Sequence, residues 1–302
     1  MNEWRENVRK RTKDFIHDYG KVTFVFISLF IILISAIVIY KLVTPQKLKV
    51  SFLDVGQGDA IFIQTPSGKQ MLIDGGPTNI ILSRLDGEMS YFDREIDVIV
   101  ATHPDADHVT GLIPVLEKYK VHTIIESSVH SDTKVFGELD KHIDDEQADM
   151  YVARTGDVID FHDGVTAQIL YPQKNYQEKK NDTNDASVSM VITYGEQSFL
   201  LTGDLPTAKE NKLFGSVALP KNVTVYKAGH HGSKTSSGEQ LLSYIKPEYT
   251  VVSAGKNNKY GHPNIETIER LQKYTKEIIS TIDRGTITFV TDGRIMEVKT
   301  SK

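Results

Sequence analysis

Hydrophobic and polar positions divide the chain into two regimes. From Val22 to Tyr40 the sequence VTFVFISLFIILISAIVIY contains no charged residue, Gly or Pro. As a helix it would rise roughly 28 Å, about the thickness of a bilayer core. That length, apolar all round, predicts a transmembrane helix rather than a buried core helix. It is too long for the apolar core of a signal peptide, and no A-x-A cleavage site follows, so an uncleaved anchor is expected.

Beyond a short linker, KLVTPQKL (41–48), the apolar residues come in short β-rich runs punctuated by Gly turns. VSFLDV (50–55), AIFIQT (60–65) and QMLID (70–74) read as hairpin strands. EIDVIVAT (95–102) is nearly continuous and reads as a buried strand. A helix at 110–119, a strand at HTIIES (122–127) and an amphipathic helix around 133–148 follow. The second half predicts strands within 157–171, 187–194, 197–202, 223–228 and 249–254, with helices at 206–214, 237–245 and 264–275. The tail, 278–299, reads as short strands turning at Arg284-Gly285 and Asp292-Gly293. Two strand-rich halves, each with helices, imply an α/β fold in which two sheets pack face to face with helices outside. The expected domains are a basic tail (1–21), a transmembrane anchor (22–43) and one folded domain (44–302).

Charge orients this arrangement. Arg5, Arg9, Lys10, Arg11, Lys13 and Lys21 precede the apolar segment. The positive-inside bias therefore predicts a single-pass cell-membrane protein with a cytoplasmic N-terminus and an extracellular C-terminal domain. The chain carries 35 basic and 40 acidic residues, a formal charge of −5. A wholly basic nucleic-acid-coating protein is excluded, and any polyanion site must be a local patch. There is no cysteine, which excludes disulfides, a thiol nucleophile and Cys-ligated zinc.

The densest chemistry lies in Thr102-His103-Pro104-Asp105-Ala106-Asp107-His108, where the buried strand stops. Two imidazoles interleaved with two carboxylates suit divalent metal ions, whereas a helix cap would account for one Asp only. Asp204, at the strand end LLTGD, could bridge two ions through its two oxygens. His230-His231-Gly232-Ser233 and His262 each follow a later strand and could supply the last ligand. His17, His122, His130, His142 and His162 stand alone, as surface or core residues do.

HPDADH resembles the H-x-H-x-D-H signature of metallo-β-lactamase-fold hydrolases, with Asp105 where the second His would stand. The same variant characterises the ComEC-like branch, the extracellular C-terminal domain of DNA-uptake competence proteins. FLDVGQGDAIFIQT (52–65), MLIDGG (71–76), FLLTGDL (199–205), HHGSKTSS (230–237) and GKNNKYGHP (255–263) fall in that branch's order. The resemblance implies an αββα sandwich with two divalent ions, zinc or manganese, at one edge. By motif, His103 and Asp105 would hold one ion, Asp107 and His108 the other, and Asp204 both. His230 and His262 remain alternatives for the final ligand. Asp107 and His231 are the candidate catalytic groups, His231 as a donor to the transition state. Asp74 and Asp59 would brace the site from behind. The usual third-motif His is missing; Asn181-Asp182-Thr183-Asn184-Asp185 stands there, with Asn184 or Asp185 as weak substitutes.

Two adjacent divalent ions acidify water and neutralise phosphodiester oxygens. Lys227, Lys234, Lys256 and Lys259, with Ser233, Thr235, Ser236 and Ser237, flank the His motifs as candidate phosphate donors. Lys234, Ser233 and Lys256 are the residues expected to bind substrate. The resemblance implies a membrane-anchored nuclease acting on DNA, with a membrane protein as a further partner. The alternatives are a phosphoesterase for wall polymers or small phosphodiesters, and a non-catalytic DNA-binding or assembly module.

Overall fold

A computed structural model describes residues 1–43, 47–174, 176, 183–216 and 219–302. Part of the linker (44–46) and of the third-motif stretch (Asn181, Asp182) lies outside the described residues. The chain forms two compact units, Met1–Gln46 and Lys47–Lys302.

The first unit is one helix, α1 (Asn2–Val43), so the basic tail and the apolar segment share a single helix. Its Tyr19–Ile39 stretch is long and apolar enough to cross a membrane. Phe24, Phe26 and Phe30 are exposed along it, as expected of a helix without a polar face.

The second unit contains two sheets. In the first are β1 (Leu48–Phe52), β2 (Ile61–Gln64), β3 (Gln70–Ile73), β4 (Glu95–Ala101), β5 (Lys120–Glu126) and β6 (Asp149–Val152). Two strands from the chain's end, β14 (Ile287–Thr291) and β15 (Met296–Thr300), join it in the order β15-β14-β1-β2-β3-β4-β5-β6. The second sheet takes β7 (Val158–Asp160), β8 (Val165–Tyr171), β9 (Ser189–Tyr194), β10 (Gln197–Leu201), β11 (Val225–Lys227), β12 (Tyr249–Val252) and β13 (Glu277–Ser280), in the order β13-β12-β11-β10-β9-β8-β7.

Strand periodicity explains the layering. Alternate residues of the first sheet, such as Val50, Phe52, Ile61, Ile63, Val98 and Val100, meet Ala167, Ile169, Met190, Ile192, Phe199 and Leu201 of the second in one inter-sheet core. The opposite faces are covered by helices. Phe62, Leu72, Ile99 and Ile124 pack beneath α2 (Ile80–Glu88), α4 (Leu112–Lys118) and α5 (Lys134–Glu146). Leu200, Tyr226 and Val252 pack beneath the helices Glu239–Ile245 and Ile265–Gln272. The result is the expected αββα sandwich.

Two elements, α2 and β6, are additional to the sequence reading; the helix expected at 206–214 forms two short ones, Thr207–Glu210 and Leu213–Ser216, and the tail read as strands holds a helical turn, Thr281–Arg284. Helix α2 buries only Ile81 and Leu85, too few apolar positions to show a period. Strand β6 is exposed at all four positions, so no alternation marks it.

Candidate metal centre

Strand directions bring the chemical residues together. β3 and β4 are parallel, as are β10, β11 and β12, so the loops after them emerge at the carboxyl edge of their sheets. β1 is antiparallel to β2, and β2 to β3, which sends the β1–β2 loop to the same edge. Six loops there carry Asp59, Asp74, the HPDADH segment, Asp204, His230 with His231, and His262. After β4 the backbone enters a single helical turn, α3 (Ala106–Val109), which carries Asp107 and His108. Gly58 has φ +137° and lies where a Cβ would strike the Asp107 carbonyl, so only glycine permits this close approach.

One oxygen is the focus. Asp204 Oδ2 lies 3.9 Å from His103 Nε2, 3.3 Å from His108 Nε2, 3.5 Å from His230 Nε2 and 3.5 Å from His231 Nε2. Asp105 Oδ2 is 3.8 Å from His103 Nε2, and Asp107 Oδ2 is 3.4 Å from His231 Nε2. The ligand atoms of His103, His108 and Asp204 lie within 4.8 Å of one another, and so do those of Asp107, His108 and His231.

Groups behind the cluster set the tautomers. Asp74 accepts from Thr102 N (2.8 Å), Thr102 Oγ1 (2.7 Å) and His108 Nδ1 (2.8 Å). With its proton committed to Asp74, the Thr102 hydroxyl accepts from His103 Nδ1 at 2.9 Å. His231 Nδ1 donates to Ser253 O at 3.0 Å. Each of the three rings thus uses Nδ1 behind and turns Nε2 to the pocket, the arrangement of metal-ligating histidines. The Nε2 atoms of His103, His108 and His231, with Asp204 Oδ1 and Asp59 Oδ1, are buried without a hydrogen-bond partner. Buried polar atoms are seldom left so, and this donor set fits divalent ions.

The electrostatics agree. Among the described residues, the five carboxylates of the cluster (Asp59, Asp74, Asp105, Asp107 and Asp204) are accompanied by one buried ammonium, Lys227, which is 1% exposed and pairs with Asp59. With neutral imidazoles this leaves four formal negative charges, which two divalent ions would balance. In the metal-free cluster protons take part of that role. Burial opposes a charge on His231, but Asp204 and Asp59 outweigh it and lift its pKa to about 9. Burial likewise opposes charge on His108, and Asp204 and Asp74 push it well above the ordinary value. Burial, reinforced by His108, drives His103 down to about 3, leaving it neutral. Burial raises Asp105, whereas for Asp107 it is outweighed by His231 and the net shift is downward.

The structure gathers His103, Asp105, Asp107, His108, Asp204, His230 and His231 about one pocket, with Asp74 and Asp59 behind it. His262 stands farther out and is half-buried, its ring centroid 6.5 Å from His231 and 5.4 Å from His230. Asn184 Nδ2 lies 3.5 Å from His230 Nδ1, whereas Asp185 pairs with Lys209. Lys227 departs from its expected place in a surface patch: it is buried, pairs with Asp59 and sits 3.7 Å from Asp204 Oδ1. A lone Lys within the β-rich run VTVYKA was the available signal. Ser236 and Ser237 are buried, bonded to Leu205 O and to Gly229 N respectively. Ser233 is buried too, its hydroxyl shared with Thr235, while Lys234 and Lys256 are exposed.

An αββα sandwich with this cluster at its strand-end edge defines a metallo-β-lactamase-type domain. Residues 53–167 match the metallo-beta-lactamase superfamily. The metallo-beta-lactamase fold protein YhfI from Bacillus subtilis shares the fold with a TM-score of 0.54 at 11% identity, over 82% of this chain and 100% of that one. Within that class the domain is related to competence proteins. It is 29% identical to ComE operon protein 3 of Bacillus subtilis (strain 168), over 82% of this chain and 33% of the relative. It is 27% identical to Competence protein ComA of Neisseria gonorrhoeae, over 86% of this chain and 35% of the relative. The chain therefore spans about a third of the length of these relatives.

Proposed function

We propose that this chain is a membrane-anchored, metal-dependent phosphodiester hydrolase that acts on DNA at the outer face of the cell membrane. The observation that carries the reading is the convergence of four imidazole Nε2 atoms on Asp204 Oδ2, within 3.3 to 3.9 Å. His103, Asp105 and His230 would hold one divalent ion, Asp107, His108 and His231 a second, and Asp204 both. His231 thus serves as a ligand in this reading, and His262 as an outer wall. Zinc or manganese suits the mixed nitrogen and oxygen donors. Bound there, the two ions would supply an activated water and neutralise the oxygens of the attacked phosphodiester.

The protein's own groups prepare that chemistry. Asp74, Thr102 and Ser253 fix the tautomers, and Lys227 faces Asp204 Oδ1 so that Oδ2 turns toward the imidazoles. Exposed Lys234 and Lys256 offer charge to the phosphate backbone. Kinship with proteins named for competence supports DNA as the polymer. Six basic residues before the apolar helix support a cytoplasmic N-terminus and an outward-facing domain. A partner protein in the membrane belongs to the same reading.

The test is metal-reconstituted full-length protein in detergent, assayed on single- and double-stranded DNA and on bis-p-nitrophenyl phosphate. Wild type should cleave DNA, and Asp107→Ala should lose roughly 100-fold or more. Cleavage of the small ester alone would replace this reading with a small-phosphodiester hydrolase. A folded protein that binds DNA but no metal would replace it with a binding module.

A further inference from the structure

Outside the cluster, the loop Gly255–Pro263 presents an exposed aromatic ring on a rigid frame at the site's edge. Its Asn258 side chain ties four backbone groups together. Nδ2 donates to Gly255 O (2.9 Å) and to His262 O, while Oδ1 accepts from Tyr260 N (3.1 Å) and His262 N (3.0 Å). Gly255 N donates to Gln57 Oε1 at 3.1 Å, bracing this loop against the loop that carries Asp59. On that frame Tyr260 is 52% exposed. Its ring stacks on His262, with centroids 5.8 Å apart and planes 22° apart, and His262 in turn meets His230 edge-on at 5.4 Å. The Lys259 ammonium lies 4.9 Å from the Tyr260 centroid.

A single exposed tyrosine is ordinary. A tyrosine held by a stapled turn, backed by an imidazole, flanked by the Lys259 ammonium and two ring contacts from His230 is a stacking surface. Every nucleobase offers a π-face, and aromatic platforms beside positive charge are how proteins hold single strands. A duplex keeps its bases stacked on one another and gives such a ring nothing to receive. We infer that Tyr260 is a base-stacking platform at the mouth of the metal centre, which selects a DNA strand with unpaired bases. The Lys259 ammonium moves from the ring to the neighbouring phosphate when a base takes its place. This inference rests on the hydrolase reading for its substrate.

The experiment compares a fluorescein-labelled oligothymidylate with an abasic oligomer of equal length and charge. The full-length protein is used in detergent, as wild type, Tyr260→Ala and Tyr260→Trp. Fluorescence anisotropy on EDTA-treated protein reads binding, and cleavage by metal-loaded protein reads KM. Wild type should favour the base-bearing strand by roughly 5- to 150-fold in both readouts. Tyr260→Ala should bind the two oligomers alike, and Tyr260→Trp should retain the preference. Equal treatment of the two strands by wild type, or an unchanged preference in Tyr260→Ala, overturns the platform. If wild type cleaves no DNA, the hydrolase reading falls, and the metal-free binding comparison still decides the platform.

Discussion

Asp74→Asn isolates the role of the group behind His108. Asp74 is 1% exposed and accepts three hydrogen bonds, from Thr102 N, Thr102 Oγ1 and His108 Nδ1. Its φ is +58°, a conformation that Asn tolerates, so the backbone should survive the change. Asn offers one acceptor oxygen in place of two. If its amide nitrogen faces Thr102 N, two donors oppose each other, and one is orphaned at a cost of about 1–3 kcal/mol. If it faces His108 instead, Nδ1 must accept, and the ring proton moves to Nε2, the atom a metal needs bare. In both orientations His108 loses its carboxylate partner and with it ring basicity, so metal affinity should fall roughly 10- to 100-fold, and stability modestly. Chelator competition reads the affinity and thermal denaturation the stability. Wild-type metal affinity in a folded Asp74→Asn protein would refute the assignment of Nδ1 and Nε2 roles.

Metal binding near pH 7 should release at least one proton per chain, because His231 is lifted to about 9 in the metal-free cluster and ligation requires it neutral. Calorimetry in buffers of different ionisation enthalpy measures this; a heat independent of buffer would contradict it. The sign also fixes stability. His231's contribution to the metal-free fold should be complete below its ordinary value of 6.5 and vanish as pH rises through about 9, read by denaturation at stepped pH. Gly58→Ala would drive a Cβ into the Asp107 carbonyl at a backbone φ of +137°. It should cost about 1–3 kcal/mol and loosen metal retention, and an unchanged melt with unchanged metal content would disprove the tight approach. Because the chain has no cysteine, Arg5→Cys and Ser301→Cys each create a unique thiol. A membrane-impermeant maleimide on intact cells should label only Ser301→Cys, and the opposite pattern would reverse the orientation.

Much of the site was legible because its chemistry is concentrated at strand ends. HPDADH closes the apolar run EIDVIVAT, and LLTGD closes β10, so both announce themselves locally. What stayed hidden depends on convergence. His230, His231 and His262 sit on adjacent strand-end loops, and only packing shows that His231 is buried against Asp107 while His262 lies outside. Lys227 reads as a surface cation until the parallel register of β10 and β11 carries it beneath Asp59 and Asp204. The sandwich followed from strand-rich halves with helices between them. Helix α2 and strand β6 did not, because α2 buries only the short pair Ile81 and Leu85 and β6 buries none of its residues.

The most direct test of the metal centre is the divalent-ion content of the full-length protein by elemental mass spectrometry after equilibrium dialysis against zinc or manganese. The convergence on Asp204 predicts about two ions per chain in wild type and a clear loss of retained metal in Asp204→Asn. A folded wild-type protein that retains no divalent ion, or an Asp204→Asn protein that holds as much as wild type, would contradict it.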